Sequence, residues 1–254
     1  MIAALRMPRD QRWYRLSVGA LVVSAWAALA VWGASPFSGY LSHARIGENG
    51  TSPTLALILF SFGWTLMIVA MMLPSSLPLV NLFHRFVIMR PDRAGLLFLL
   101  GAGYLAVWTV FGIAAYAADI GIHEAVEANE PLRAASGAIW SATLLLAGVY
   151  QFTPLKTMCL EKCRSPYSFL VEHWSGRQPS RDALRLGIRH GLFCLGCCWS
   201  LMLVMFAVGA GSLGWMLALG ALMGFERTMH SGRTLTRPLG VALVAAAAVS
   251  LMNL

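Results

Sequence analysis

Cys194-Leu195-Gly196-Cys197-Cys198 places three thiols within five residues of an apolar stretch. On a helix, positions i, i+3 and i+4 fall on one face, so the three sulfurs form a single cluster. Met202 and Met205 continue that face one and two turns further on. Thiols and thioethers gathered in an apolar helix suit a soft cation. Cys159 and Cys163 form a second pair at i, i+4, and the two groups hold all five cysteines of the chain. Thiolate and thioether ligands favour Cu(I), whereas a closed four-thiolate site would favour Zn²⁺; the scarcity of imidazole in the clusters tilts the choice to Cu(I). Two other readings stay open. Cys194-Leu-Gly-Cys197 is a Cys-x-x-Cys, the spacing of a thiol-disulfide oxidoreductase, although adjacent Cys197 and Cys198 would make only a strained disulfide. Buried cysteines also serve as small apolar packing groups in a purely structural subunit.

The elements that must position these sulfurs are membrane helices. Charged residues make up only 12% of the 254-residue chain and hydrophobic ones 58%, against roughly 25% charged in soluble domains. Several apolar stretches reach the 17–25 residues or so that cross a hydrocarbon core about 30 Å thick. Their apolar residues run continuously rather than alternating, which excludes a β-barrel. The expectation is an all-α, polytopic transmembrane bundle of about seven spans. These run from Leu16 to Ala34, Thr54 to Leu73 (extending to Leu82), Ala94 to Ala118, Leu132 to Phe152, Gly191 to Val208, Leu213 to Phe225, and Leu239 to Leu254. Residues 1–15 form a short tail, and 16–254 a single transmembrane domain.

Charge sets the orientation. With seven spans, seventeen of the 19 basic residues lie at the N-terminus or in the second, fourth and sixth loops, and only Arg45 and Arg133 lie opposite. The positive-inside rule then predicts a cytoplasmic N-terminus and an inner-membrane location in a bacterium. The net charge of +8 is thereby explained by topology, and a nucleic-acid partner is not expected. The first span is longer than a signal-peptide core and is read as an uncleaved anchor. On this topology both cysteine groups face the reducing cytoplasm, where thiols stay free. Cys198 lies nine residues past Arg189, roughly 13 Å into the helix at about 1.5 Å per residue.

Further residues of interest collect on that same side. Met71 and Met72 precede Leu73-Pro74-Ser75-Ser76-Leu77-Pro78, where two prolines predict a kink or break facing the cysteine helix. Met71, Met72 and Met202 are therefore added to the candidate ligand set of Cys159, Cys163, Cys194, Cys197 and Cys198. Glu226 ends the sixth span beside Met223, Met229 and His230, either as a functional acid or as a partner for Arg227. The fourth loop, Thr153 to His190, carries Arg181, Arg185 and Arg189 at i+4 beside Leu184 and Ile188. That pattern predicts a basic amphipathic helix lying on lipid. His123, Glu124 and Glu127 read as a solvated acidic connector, and Gly101-Ala102-Gly103 as a packing surface rather than a nucleotide fingerprint.

The stretches Ala70-Met71-Met72-Leu73-Pro74-Ser75, Tyr150 to Lys156 followed by Cys159-Leu160-Glu161-Lys162-Cys163-Arg164-Ser165-Pro166, and Gly187 to His190 leading into Cys194-Leu195-Gly196-Cys197-Cys198-Trp199 resemble a bacterial family of predicted metal-binding integral membrane proteins, a domain of unknown function. The resemblance runs from about Thr54 to the C-terminus and implies metal binding at the two cysteine motifs. The reading that follows is an inner-membrane protein handling a soft metal, Cu(I) before Zn²⁺. Its work would be transfer to a metallochaperone or metalloenzyme partner, or transport, rather than enzymatic turnover.

Overall fold

A computed structural model describes residues 9–35, 52–135, 137–208, 213–229 and 232–253. His43, His230 and the turn-rich stretch 36–51 lie outside the described residues. The described residues are predominantly helical, with no strand among them. In chain order the helices are α1 (Arg9–Gly33), α2 (Pro53–Met71), α3 (Leu73–Phe86), α4 (Arg93–Ala128), α5 (Glu130–Ala134), α6 (Gly137–Tyr150), α7 (Pro154–Arg164), α8 (Pro166–His173), α9 (Pro179–Val208), α10 (Leu213–Thr228) and α11 (Gly232–Met252).

Each of the seven expected stretches coincides largely with helix, the fourth, Leu132 to Phe152, being divided between α5 and α6, but among the described residues fewer than seven helices are long and apolar enough to cross a membrane. Five qualify: Leu16–Gly33, Thr54–Met71, Arg93–Ala128, Pro179–Ala207 and Thr234–Met252. A sixth span forms only if α6 and α7, bent by 64° at Gln151–Thr153, are taken together. Helix α10, at 16 residues, falls just short of the roughly 17 residues a span requires. Large apolar side chains such as Phe62, Phe98 and Val110 point outward and are mostly exposed, as a lipid-facing surface would have them.

Three local expectations are corrected. An acidic loop was expected from Asp119, yet α4 continues as helix to Ala128, because no proline interrupts it before Pro131. At 36 residues it is roughly 54 Å long, so its exposed last turns, with His123, Glu124 and Glu127, outrun a bilayer core. The break after the second apolar helix falls at Met72, ahead of the prolines: Pro74 sits in the first turn of α3 and Pro78 inside it. A proline is well tolerated in a first turn, where its missing N–H has no helical partner to lose. The hydroxyls of Ser75 and Ser76 donate to the Met72 carbonyl at 2.9 and 3.1 Å. Both Met71 and Met72 are buried.

The third correction concerns residues 153–190. They form α7, α8 and the first three turns of α9, rather than one helix lying on a surface. Arg181, Arg185 and Arg189 are exposed as expected, but Leu184 is exposed with them. The buried stripe runs instead through Ala183, Leu186 and His190 and continues into Cys194, Cys197, Leu201 and Met205. Glycine explains this choice of face. A Cβ on Gly187 would run into the Leu100 carbonyl of α4, and one on Gly103 would fall 2.5 Å from the Leu184 carbonyl. These two glycines let the α4 and α9 backbones touch, the close approach that small residues permit between membrane helices. The α4–α9 pair is the most extensive in the molecule, with α6–α11 next. Beyond the core, Lys162 bonds Glu172 at 2.8 Å and holds its exposed carboxyl below its ordinary value, tying α7 to α8.

Candidate metal centre

Helix α9 presents Cys194, Cys197 and Cys198 on its buried stripe, all with at most 1% of their surface exposed. The Cys197 and Cys198 sulfurs are 3.2 Å apart. The Cys197 thiol donates to the Cys194 carbonyl at 3.1 Å, which fixes its rotamer against the helix backbone. On the far side, Cys194 Sγ lies 3.1 Å from Tyr104 Oη of α4.

Helix α7 brings the other two thiols to the same place. Thr153 caps it by accepting from the Lys156 N–H, and Pro154 begins it, the residue pattern that starts a helix cleanly. Cys163 is buried in the same core cluster as Cys197. Cys159 nests over Gly196, where a Cβ would sit 2.5 Å from its sulfur. All five cysteines are free thiols, buried, and part of one core cluster. Met71, Met72 and Met202 belong to the same cluster, as do Met67, Met205, Met216 and Met223. Met71 packs on Gly220 of α10. Cysteine and methionine thus make up about half of the residues of this core cluster.

Of the polar groups at this site, Glu226 is the one the sequence reading singles out, and Lys156, Thr236 and His190 are not. Lys156 and Glu226, seventy residues apart, form an ion pair at 2.8 Å with 0% and 1% of their side chains exposed. Thr236 of α11 donates to the other Glu226 oxygen at 3.0 Å, and Arg164 donates to the Glu226 backbone carbonyl at 3.0 Å. Glu226 thus pairs with α7 and α11 rather than with Arg227. Arg227 is itself buried and donates to Ser75 and Ser76 of α3. His190 stacks on Tyr104 with ring centroids 5.5 Å apart, and its Nε2 has no hydrogen-bond partner among the described residues. The one sequence signal was a charged pair following Phe225 with no turn residue between. Such a pair marks a charge carried on an apolar helix.

The donor set fits a soft, low-coordinate ion. Among the described residues no three His, Cys, Asp or Glu side chains are disposed around a common point to hold a metal. The Cys197 and Cys198 thiols instead lie against each other. Thiolate and thioether donors are those that select Cu(I).

An all-helical protein with apolar helices long enough for a membrane, closed around five buried thiols, is the class that the fold and the site define. Over residues 61–250 the chain matches the model of the family described as PpoB2, copper chaperone, and it belongs to that family. The matched region contains every thiol of the cluster together with Met71, Met72 and Met202. No curated protein and no solved structure matches the chain.

Proposed function

We propose that the protein is an integral membrane copper chaperone that holds Cu(I) on the sulfurs of α7 and α9 and passes it to a metalloenzyme or to another copper carrier. The observation that carries this reading is the convergence of all five cysteines, from two helices, into one buried cluster. Membership of a copper chaperone family supplies the metal. Copper rather than zinc is also favoured by the donor chemistry, since thioethers line the core and imidazole is scarce. Burial argues against thiol-disulfide exchange, which requires an attacking thiolate and an accessible sulfur.

The test is retention of Cu(I) by purified protein, loaded under reducing conditions in detergent and then desalted. Copper bound in near-stoichiometric amount is the expected result; protein that emerges copper-free overturns the reading.

The location belongs to the same proposal. Basic residues crowd the ends that the positive-inside rule assigns to the cytoplasm, so the sulfur site lies toward the cytoplasmic face of a bacterial inner membrane. Substitutions Glu130→Cys and Gln178→Cys, at two exposed positions, report it. A membrane-impermeant maleimide applied to intact spheroplasts is expected to label the first and spare the second. The reverse pattern would invert the topology.

A further inference from the structure

Arg227 poses a problem of charge that the rest of the site does not solve. Its side chain is buried, 4% exposed, and a buried guanidinium is expensive unless an anion stands beside it. Among the described residues no carboxylate pairs with it. The adjacent acid, Glu226, spends both oxygens on Lys156 and Thr236, so that pair cancels its own charge. The Arg227 fork is directed at two neutral hydroxyls, Ser75 and Ser76, and its Nε has no partner. Ser76 and Tyr104 line one cavity, and the Tyr104 hydroxyl reaches Cys194 at 3.1 Å. The Arg227 charge acts on Cys194, Tyr104 and His190. One net positive charge is thus held in an apolar core, on the Tyr104–Cys194 side of the thiol cluster.

Copper thiolates supply the missing charge. Two thiolates around one Cu(I) leave one negative charge, and three leave two. An anionic complex of that kind is costly in a low-dielectric core without a cation nearby. Accordingly, we propose that Arg227 is the built-in countercharge of the sulfur site, a positioning residue that binds no metal but makes the copper-loaded cluster electrically tolerable. The inference rests on the copper reading above. It assigns Arg227 a task distinct from tying α10 to α3, which a neutral hydrogen-bond donor could perform.

The experiment compares wild type, Arg227→Gln and Arg227→Lys by competition for Cu(I) against bicinchoninic acid, with the unfolding midpoint of each metal-free protein measured in parallel. Arg227→Gln keeps hydrogen-bonding capacity and removes the charge. It is expected to weaken Cu(I) roughly 10–100-fold, the usual cost of losing an outer partner of a metal site. Its metal-free unfolding midpoint is expected to match or exceed wild type, because an unpaired buried charge has gone. Arg227→Lys keeps the charge, loses the planar fork, and is expected to recover most of the affinity. Wild-type affinity in Arg227→Gln overturns the inference while leaving the copper reading intact. Equal losses in Gln and Lys also overturn it, since geometry rather than charge would then matter. Wild-type protein that takes up no Cu(I) overturns the copper reading, and this inference with it.

Discussion

Replacing Cys194, Cys197 and Cys198 together by serine is expected to lower Cu(I) affinity by orders of magnitude while leaving the helices packed as they are. A serine hydroxyl is hard and largely protonated, whereas Cu(I) prefers thiolate. The fold has reasons to survive the exchange. Serine is nearly isosteric with cysteine, and at 197 its hydroxyl can still donate to the 194 carbonyl, as the Cys197 thiol does. Alanine at the same three positions is expected to lose copper equally, because it removes the ligand and nothing that serine restores. If the cysteines merely packed, alanine would be tolerated and metal content would not change. The measurement is copper per protein for wild type and both triple variants, at matched expression and thermal stability. Equal copper in all three would retire sulfur ligation by α9.

Lys156→Met is expected to be among the most destabilising single substitutions available in this molecule. It leaves the Glu226 carboxylate buried with only the Thr236 hydroxyl for company. Breaking one partner of such a pair costs about 3–5 kcal/mol. Replacing both members, Lys156→Met with Glu226→Leu, is expected to recover part of that loss, because two neutral side chains carry no desolvation penalty. The remaining shortfall of about 1–3 kcal/mol is the orphaned Thr236 hydroxyl. Unfolding in detergent, followed by helicity, measures all three proteins. A single variant as stable as wild type would show that the pair does not hold α7 against α10. The same bond places the α7 thiols, since Lys156 lies one turn before Cys159. Copper binding should therefore suffer in the single variant and return in the double.

Much of the fold was legible in the chain because apolar length is a one-dimensional signal. Ala94–Ala118 and Gly191–Val208 fall within α4 and α9, and Leu16–Ala34 overruns the end of α1 at Gly33 by one residue. The thiol clusters were legible for a similar reason, since i, i+3, i+4 spacing is local. Interactions that span the sequence were not. Lys156 and Glu226 looked like a loop charge and a helix-end acid, and only the 64° bend between α6 and α7 turns one toward the other. Arg227 was counted among the charges that set topology, although it lies inside the core. The face of α9 was misassigned because periodicity alone does not register Gly187. The absence of a side chain there, pressed on Leu100, decided which stripe turns inward.

Gly196 has a consequence for anyone who would move this site elsewhere. It sits between the cysteines of Cys194-Leu195-Gly196-Cys197, directly beneath Cys159, and its carbonyl accepts from the Tyr150 hydroxyl of α6. Three helices therefore converge on a residue that contributes no donor atom. A transplant carrying all five cysteines onto another helix pair, with any side chain at the equivalent of 196, would deliver two separate thiol groups held apart by one methyl. The minimal portable unit is thus six residues rather than five, and the sixth is defined by the volume it leaves empty.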